Sequence, residues 1–337
     1  MKRSKDEAPG AGGTLPTGEA HMGHGLQHLP LPLFAAPMGI GGLGLAWREA
    51  GKVLGAPTFI GEALLALAAA IWVVVAALHV VRAQRHPEAI GGDLKHPVRA
   101  AFAGAITIGV MITAGGLIPY SHGAASGLWF IAVAGHLGIG AWTVRRLLAS
   151  PQEAAALTPP LLIPLVGNIL APVFGARLGY ETLSWMLFGV GALLWALIQP
   201  LILNRIISGP ALPERLRPTL VILLAPPAVG AIALNVLGGG YGPAATATLG
   251  LAVFVALVLA AMAPAFARIP FAMSWWAWTF PSAAFTVAVT SFYHAHPLPL
   301  LGIACWVLLA LASAIIATVV IATLKAAAAG HLLQPEG

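Results

Sequence analysis

Apolar residues run along this chain in stretches too long for helices of a soluble core. Ala100–Val144, Pro218–Ala267 and Ile269–Leu324 contain no Asp, Glu, Lys or Arg. One membrane crossing takes about 20 apolar residues, so each run holds two. Turn chemistry sits near the middle of each, at Pro119–Gly123, Gly238–Pro243 and Tyr293–Pro297. Two further pairs fit the remainder: Leu31–Trp47 with Thr58–Val81, and Pro160–Arg177 with Thr182–Ile207. The pattern predicts an all-α membrane protein of ten spans in five helical hairpins. Its membrane domain covers residues 29–327, between a disordered polar tail at 1–28 and a short tail at 328–337, both cytoplasmic. The histidines of the first tail, His21, His24 and His28, read as tail residues rather than a metal site.

Composition agrees. Apolar residues make up 59% of the 337 residues and charged ones 8%, too few to clothe a soluble domain. In a soluble protein the net charge of +6 would point to nucleic acid. Here its placement answers to the membrane instead. On a ten-span plan one side receives Lys2, Arg3, Lys5, Arg82, Arg85, Lys95, Arg99, Arg145, Arg146, Arg205, Arg215, Arg217, Arg268 and Lys325. The other receives only Arg48, Lys52 and Arg177. Basic residues gather on the cytoplasmic side, so the asymmetry predicts cytoplasmic termini, a bacterial inner-membrane location and no nucleic-acid partner.

The hairpins repeat a contrast. First helices carry the breakers: Pro37, Gly39 and Gly42 in span one, Gly104 and Gly109 in three, Pro164 and Gly167 in five, Pro226 and Pro227 in seven, Pro281 in nine. Second helices are smooth apolar runs. Broken backbone is tolerated at membrane depth where protein or a water-filled cavity satisfies it. The odd helices are therefore expected inside and the even ones outside. The inner five then either enclose a central pore or use Gly and Pro only to pack closely.

The chemistry of several protein classes is missing. The chain has no G-x-x-x-x-G-K-[ST] phosphate loop, no H-E-x-x-H and no G-x-S-x-G. No odd span carries an acid or base near its middle, as proton-coupled transporters do. Glu62 and Glu181 sit in first turns of even helices, where a carboxylate suits the helix dipole. His79 and His136 lie on even helices and do not read as a haem pair. The single cysteine, Cys305, excludes a disulfide framework. No enzyme activity, metal or cofactor is expected.

The ninth span holds the densest constellation, Trp275-Trp276-Ala277-Trp278-Thr279-Phe280-Pro281. Beyond it Ser282, Thr286 and Thr290 recur every four residues, on one helical stripe. An aromatic plug above hydroxyls suits a pore with a dewetting constriction. A packed aromatic cluster with hydroxyls bonded to their own helix accounts for the same residues.

Four segments resemble one family, the tellurite-resistance/dicarboxylate transporters, which include the slow-type anion channels of plant guard cells. They are Leu31–Phe34 with Met38–Trp47, His96–Arg99, Leu216–Thr219 with Leu224–Pro227, and Trp275–Pro281 with Phe292–His294. The resemblance spans residues 28–327. It implies five hairpins around a pore, a homotrimer with one pathway per protomer, and a phenylalanine gate that maps onto Phe280. On that reading the protein is a gated channel for small monovalent anions such as chloride and nitrate. A carrier of organic anions, dicarboxylates or sulfite- and tellurite-like oxyanions is the alternative. Helix-end charge and weak donors would select the anion without binding it tightly. The candidate lining is Pro37, Gly39, Thr107, Gly109, Thr113, Pro164, Asn168, Pro226, Pro227, Pro281, Ser282, Thr286 and Thr290.

Overall fold

The computed structural model describes residues 25–149 and 156–334, and every regular element among them is helical. Most of the expected N-terminal tail lies outside the described residues, with His21 and His24. Its last residues, Leu26–His28, form a 3₁₀ turn.

The chain begins with α1 (Ala35–Leu54) and α2 (Thr58–Arg85). Two short helices, α3 (Pro87–Lys95) and α4 (Pro97–Ala101), lead into α5 (Ala103–Leu117), and α6 (His122–Ala149) returns. The third pair is α7 (Leu162–Val166) and α8 (Ala171–Gly175), joined by the 3₁₀ turn Gly167–Ile169, followed by α9 (Glu181–Ser208). Then come α10 (Ala225–Leu237) with α11 (Pro243–Phe266), and α12 (Thr279–Ala295) with α13 (Pro299–Ala328). Among the described residues seven helical stretches are long and apolar enough to cross a membrane. They are α2, α4–α5, α6, α9, α10 with its 3₁₀ lead-in from Glu214, α11 and α13. The segments of α1, α7–α8 and α12 are shorter, interrupted or less apolar.

Burial separates two classes. The apolar windows of α4–α5 and of α10 with its lead-in are 83% and 72% buried. Those of α2, α6, α9, α11 and α13 are only 17–39% buried. Helices with so few charges and so much exposed apolar surface need a lipid environment. The buried elements touch in sequence: α1 meets α5, α5 meets α7 and α8, α8 meets α10, and α10 meets α12. Finally α12 packs along α1, which closes a ring.

Proline sets how the inner elements start. Leu31–Phe34, Pro159–Leu161, Glu214–Leu224 and Met273–Trp278 are all 3₁₀ segments leading into inner helices. Three of them contain prolines, which lack the N–H an α-helix would use. The eleven-residue stretch Glu214–Leu224 is unusually long, since 3₁₀ runs seldom pass three or four residues.

Glycine then lets the layers touch. A methyl group at Gly61 would lie 2.8 Å from the Arg48 backbone nitrogen and 2.9 Å from the Gly44 carbonyl, so α1 and α2 cross backbone to backbone there. Indole N–H groups tie the two layers. Trp72 Nε1 donates to the Ile106 carbonyl at 2.9 Å and Trp129 Nε1 to the Ala171 carbonyl at 3.0 Å. Trp47 Nε1 donates to Ser313 Oγ at 3.1 Å and Trp276 Nε1 to Thr323 Oγ1 at 3.0 Å.

The two ends of the described chain meet. The Gly25 N–H donates to the Leu333 carbonyl, 3.4 Å away. Beside them Arg82 Nε donates to the Gln27 carbonyl at 2.9 Å, and Arg82 Nη1 pairs with Asp93 Oδ2 at 2.6 Å. Asp93 also faces Arg99 Nε at 3.4 Å, so one buried carboxylate joins α2, α3 and α4. Next to this cluster His96 caps α4, its Nδ1 accepting from the Arg99 N–H at 3.2 Å. Burial and the Arg99 charge hold the His96 pKa below its ordinary value, against the opposing pull of Asp93.

Candidate functional site: two cavities separated by Phe280

Two cavities lie inside the ring. One is a funnel of about 890 Å³, counted out to its open mouth. Its apolar wall includes Leu45 of α1, Phe174 of α8, and Val229 and Ile232 of α10. The other cavity, about 420 Å³, is walled by Ile108, Leu162, Val166, Ile222 and Pro226. Leu170, Val229 and Phe280 belong to both walls. Phe280, the second residue of α12, is thus one of three residues that border both spaces.

Local structure explains that position. The 3₁₀ segment Met273–Trp278 gives way to α-helix immediately before Phe280. Pro281 is the third residue of α12, where the missing N–H is one that a first turn leaves unbonded. The irregular backbone is thus upstream of Phe280 rather than after it. Gly42 of α1 makes room for the ring: a methyl group there would lie 3.0 Å from Phe280 Cδ2. Next to it Gly39 faces Thr279, whose Oγ1 would stand 2.0 Å from an added methyl. Phe174 covers Gly115 in a similar way, with its ring 2.2 Å from where a methyl would sit.

The funnel carries charge. Arg48, Glu49, Lys52 and Arg177 all line it. Arg48 Nε and Nη2 grip Glu62 at 2.8 and 2.5 Å. Its guanidinium also donates to the Gly115 and Gly116 carbonyls at 3.3 and 3.0 Å, capping the end of α5. Tyr120 OH donates to Glu62 Oε2 at 2.8 Å, and that bond raises the phenol pKa above its ordinary value. Glu62, expected only to suit a helix dipole, is thus the partner of a buried arginine. Farther along the wall of α12, Tyr241 OH donates to the Ala288 carbonyl at 2.8 Å, and burial pushes its pKa strongly upward.

The other sequence candidates are placed as follows. Pro226 lines the smaller cavity with Phe280. A methyl group at Gly109 would strike the Trp72 indole at 2.7 Å, so this glycine faces α2. Pro164 backs onto Gly104 of α5, and its carbonyl faces Gly140 of α6. Thr107 Oγ1 contacts His136 Nδ1 of α6 at 2.7 Å and the Gly104 carbonyl at 3.0 Å. Thr113 donates to the Gly109 carbonyl at 2.9 Å. Asn168 lies in the turn between α7 and α8 and lines a separate groove between α6 and α9. On α12, Ser282 donates to the Trp278 carbonyl at 2.7 Å and Thr286 to the Ser282 carbonyl at 2.9 Å. Thr286 also reaches Leu308 of α13, at 3.4 Å, so the stripe turns toward the outer layer, with Thr290 1% exposed. Pro37, Pro227 and Pro281 are buried in the ring. His79 Nδ1 donates to the Val75 carbonyl at 2.9 Å, and its ring lies tilted against Phe34, 4.8 Å between centroids. Among the described residues no three His, Cys, Asp or Glu side chains cluster as a metal site.

A ring of buried helices with two cavities inside it, sheathed in lipid-suited helices, is the architecture of a polytopic membrane protein. The chain belongs to the SLAC1 family, described as voltage-dependent anion channels, whose family model matches residues 28–324. It is similar to the S-type anion channel SLAH3 of Arabidopsis thaliana, 22% identical over 89% of this chain and 48% of the plant protein. The guard cell S-type anion channel SLAC1 of the same plant is 22% identical over 81% of this chain and 51% of its own length. The tellurite resistance protein TehA homolog of Haemophilus influenzae is 26% identical over 80% of this chain and 83% of its own. The chain thus spans about half the length of these plant relatives.

Proposed function

We propose that the protein is a gated anion channel of the bacterial inner membrane. Five inner segments, α1, α4–α5, α7–α8, α10 and α12, line a central pathway, and each is followed by an outer helix, giving ten crossings. The meeting of the two chain ends supports an even number of crossings. The charge asymmetry supports cytoplasmic termini, so the funnel opens to the periplasm. The 29–327 region acts as one unit, assembled as a homotrimer on the family resemblance.

The observation that supports this reading is that Phe280 lines both cavities within the ring. A bare apolar restriction costs an anion its hydration shell and expels water, so the ring closes the path without any charged barrier. Permeants are small monovalent anions, chloride and nitrate among them, which need no tight binding group. The test is voltage-clamp current from wild type and Phe280→Ala, exchanging anions at fixed cations. Conductance should rise at least about tenfold, the change for a barrier lowered by about 1.4 kcal/mol. The reversal potential should follow the anion gradient. A variant that reaches the membrane folded and passes no anion current sinks the gate. The name of the Haemophilus relative favours a second reading, a carrier of tellurite-like oxyanions or dicarboxylates. Saturable uptake into vesicles without current would select it.

A further inference from the structure

The funnel and the smaller cavity differ in chemistry. The smaller cavity is lined by apolar side chains and backbone alone. The funnel holds Arg48, Glu49, Lys52 and Arg177. These three basic residues are the very three that the charge count leaves on the far side of the membrane. Basic residues are disfavoured on that side, yet all three of those present border one cavity.

They are not equivalent. Arg48 is buried, bound through two nitrogens to Glu62, and further occupied by two carbonyls. Its charge is answered before any anion arrives. Lys52, in the last turn of α1, and Arg177, just beyond α8, are exposed and make no ion pair among the described residues. Glu49 is the single unpaired carboxylate on the wall. With Arg48 and Glu62 cancelling, the wall keeps a net charge of +1.

We propose that Lys52 and Arg177 form a loading site for a monovalent anion on the funnel side of Phe280, and that Glu49 limits how tightly it holds. This rests on the channel reading above. One residual positive charge raises the local anion concentration, and in a wet mouth a unit charge some 7 Å away is worth about threefold. That is enough to load an anion and too little to trap it. The wall of the smaller cavity has no such group, so of the two cavities only the funnel loads. Glu49 sits one turn of α1 before Lys52 and subtracts from the site.

The experiment uses the full-length protein. In the Phe280→Ala background, currents carried by nitrate entering from the funnel are compared for Lys52→Gln, Arg177→Gln and Glu49→Gln. At low salt, roughly 20 mM, each loss of a positive charge should lower this current about threefold, and Glu49→Gln should raise it by a similar factor. Nitrate current in the other direction should change less. At about 1 M salt, where the Debye length is near 3 Å, the differences should vanish. Equal currents in all variants at low salt overturn the proposal. So do changes that persist at high salt, which would mark a structural defect.

A second readout separates this site from the channel reading. The Tm of the purified wild-type gate is followed against sodium nitrate, with sodium gluconate holding ionic strength constant. The rise in Tm should be lost in the Lys52→Gln, Arg177→Gln double variant, and Glu49→Gln should lower its midpoint about threefold. If Phe280→Ala carries no current while this pattern holds, the site stands and the channel reading falls. An identical nitrate response in all variants overturns the site.

Discussion

At the residue scale the proposed gate comes down to one side chain and its seat. Phe280 is 7% exposed, yet empty space lies on both sides of its ring. Deleting a fully packed core phenylalanine costs about 3–5 kcal/mol. Phe280→Ala should cost less, because its neighbours already border cavities. A modest drop in detergent Tm next to a large rise in conductance would show this. Gly42→Ala probes the same ring from the other side. The added methyl presses on Cδ2 at 3.0 Å, and the ring has room to yield. The variant should fold and conduct severalfold above wild type, but below Phe280→Ala; an unchanged closed current would dissociate the seat from the gate. Away from the pathway, His96 gives a pH signature. Its pKa is lowered in the folded state, so below about 6.5 the unfolded chain takes up protons that the folded one resists. Stability should therefore fall as pH drops through that range. His96→Asn, which keeps a capping acceptor, should flatten the Tm-against-pH curve.

At the element scale the inner helices are irregular and the outer ones are not, and the layers depend on contacts that single residues control. Trp129 is fully buried, and its indole satisfies the Ala171 carbonyl at the start of α8. Trp129→Phe removes that bond between α6 and α8 and should cost about 0.5–1.5 kcal/mol, read as lost thermal stability. Gly61→Ala would drive a methyl into the backbone of α1 at 2.8 Å. Backbone cannot swing aside as a side chain can, so overpacking of about 1–3 kcal/mol or more is expected. This scale was also the most legible in the sequence. Gly and Pro recur in every odd span because those backbones meet others or break, and uninterrupted apolar runs mark helices that face lipid. The rotation of each helix was not legible. Thr286 and Gly109 look like lining residues in a one-dimensional reading. Their contacts with α13 and Trp72 are set by partners distant in the chain. Leu45 and Val229 line the funnel, but an apolar residue on an inner helix reads alike whether it faces a cavity or a neighbour.

At the scale of the whole molecule, charge and closure matter more than any one contact. The scarce basic residues Arg48, Lys52 and Arg177 stood out in the sequence only as exceptions to a count. The fold gathers them at one cavity, through α1 and the turn after α8. Phe280 was legible as an aromatic next to a proline, but its seat was not, because Gly42 and Phe280 belong to the first and last hairpins.

That last arrangement bears on how a cell can make such a protein safely. Inner neighbours around the ring follow one another along the chain, except where α12 comes back to α1. Phe280 and Gly42 meet at this seam. A ribosome delivers α1 first and α12 nearly last, so four inner segments wait in the bilayer as an open arc. The arc encloses nothing until α12 arrives, and α12 carries Phe280, the proposed gate, with it. On the channel reading, enclosure and sealing are then one event in biogenesis.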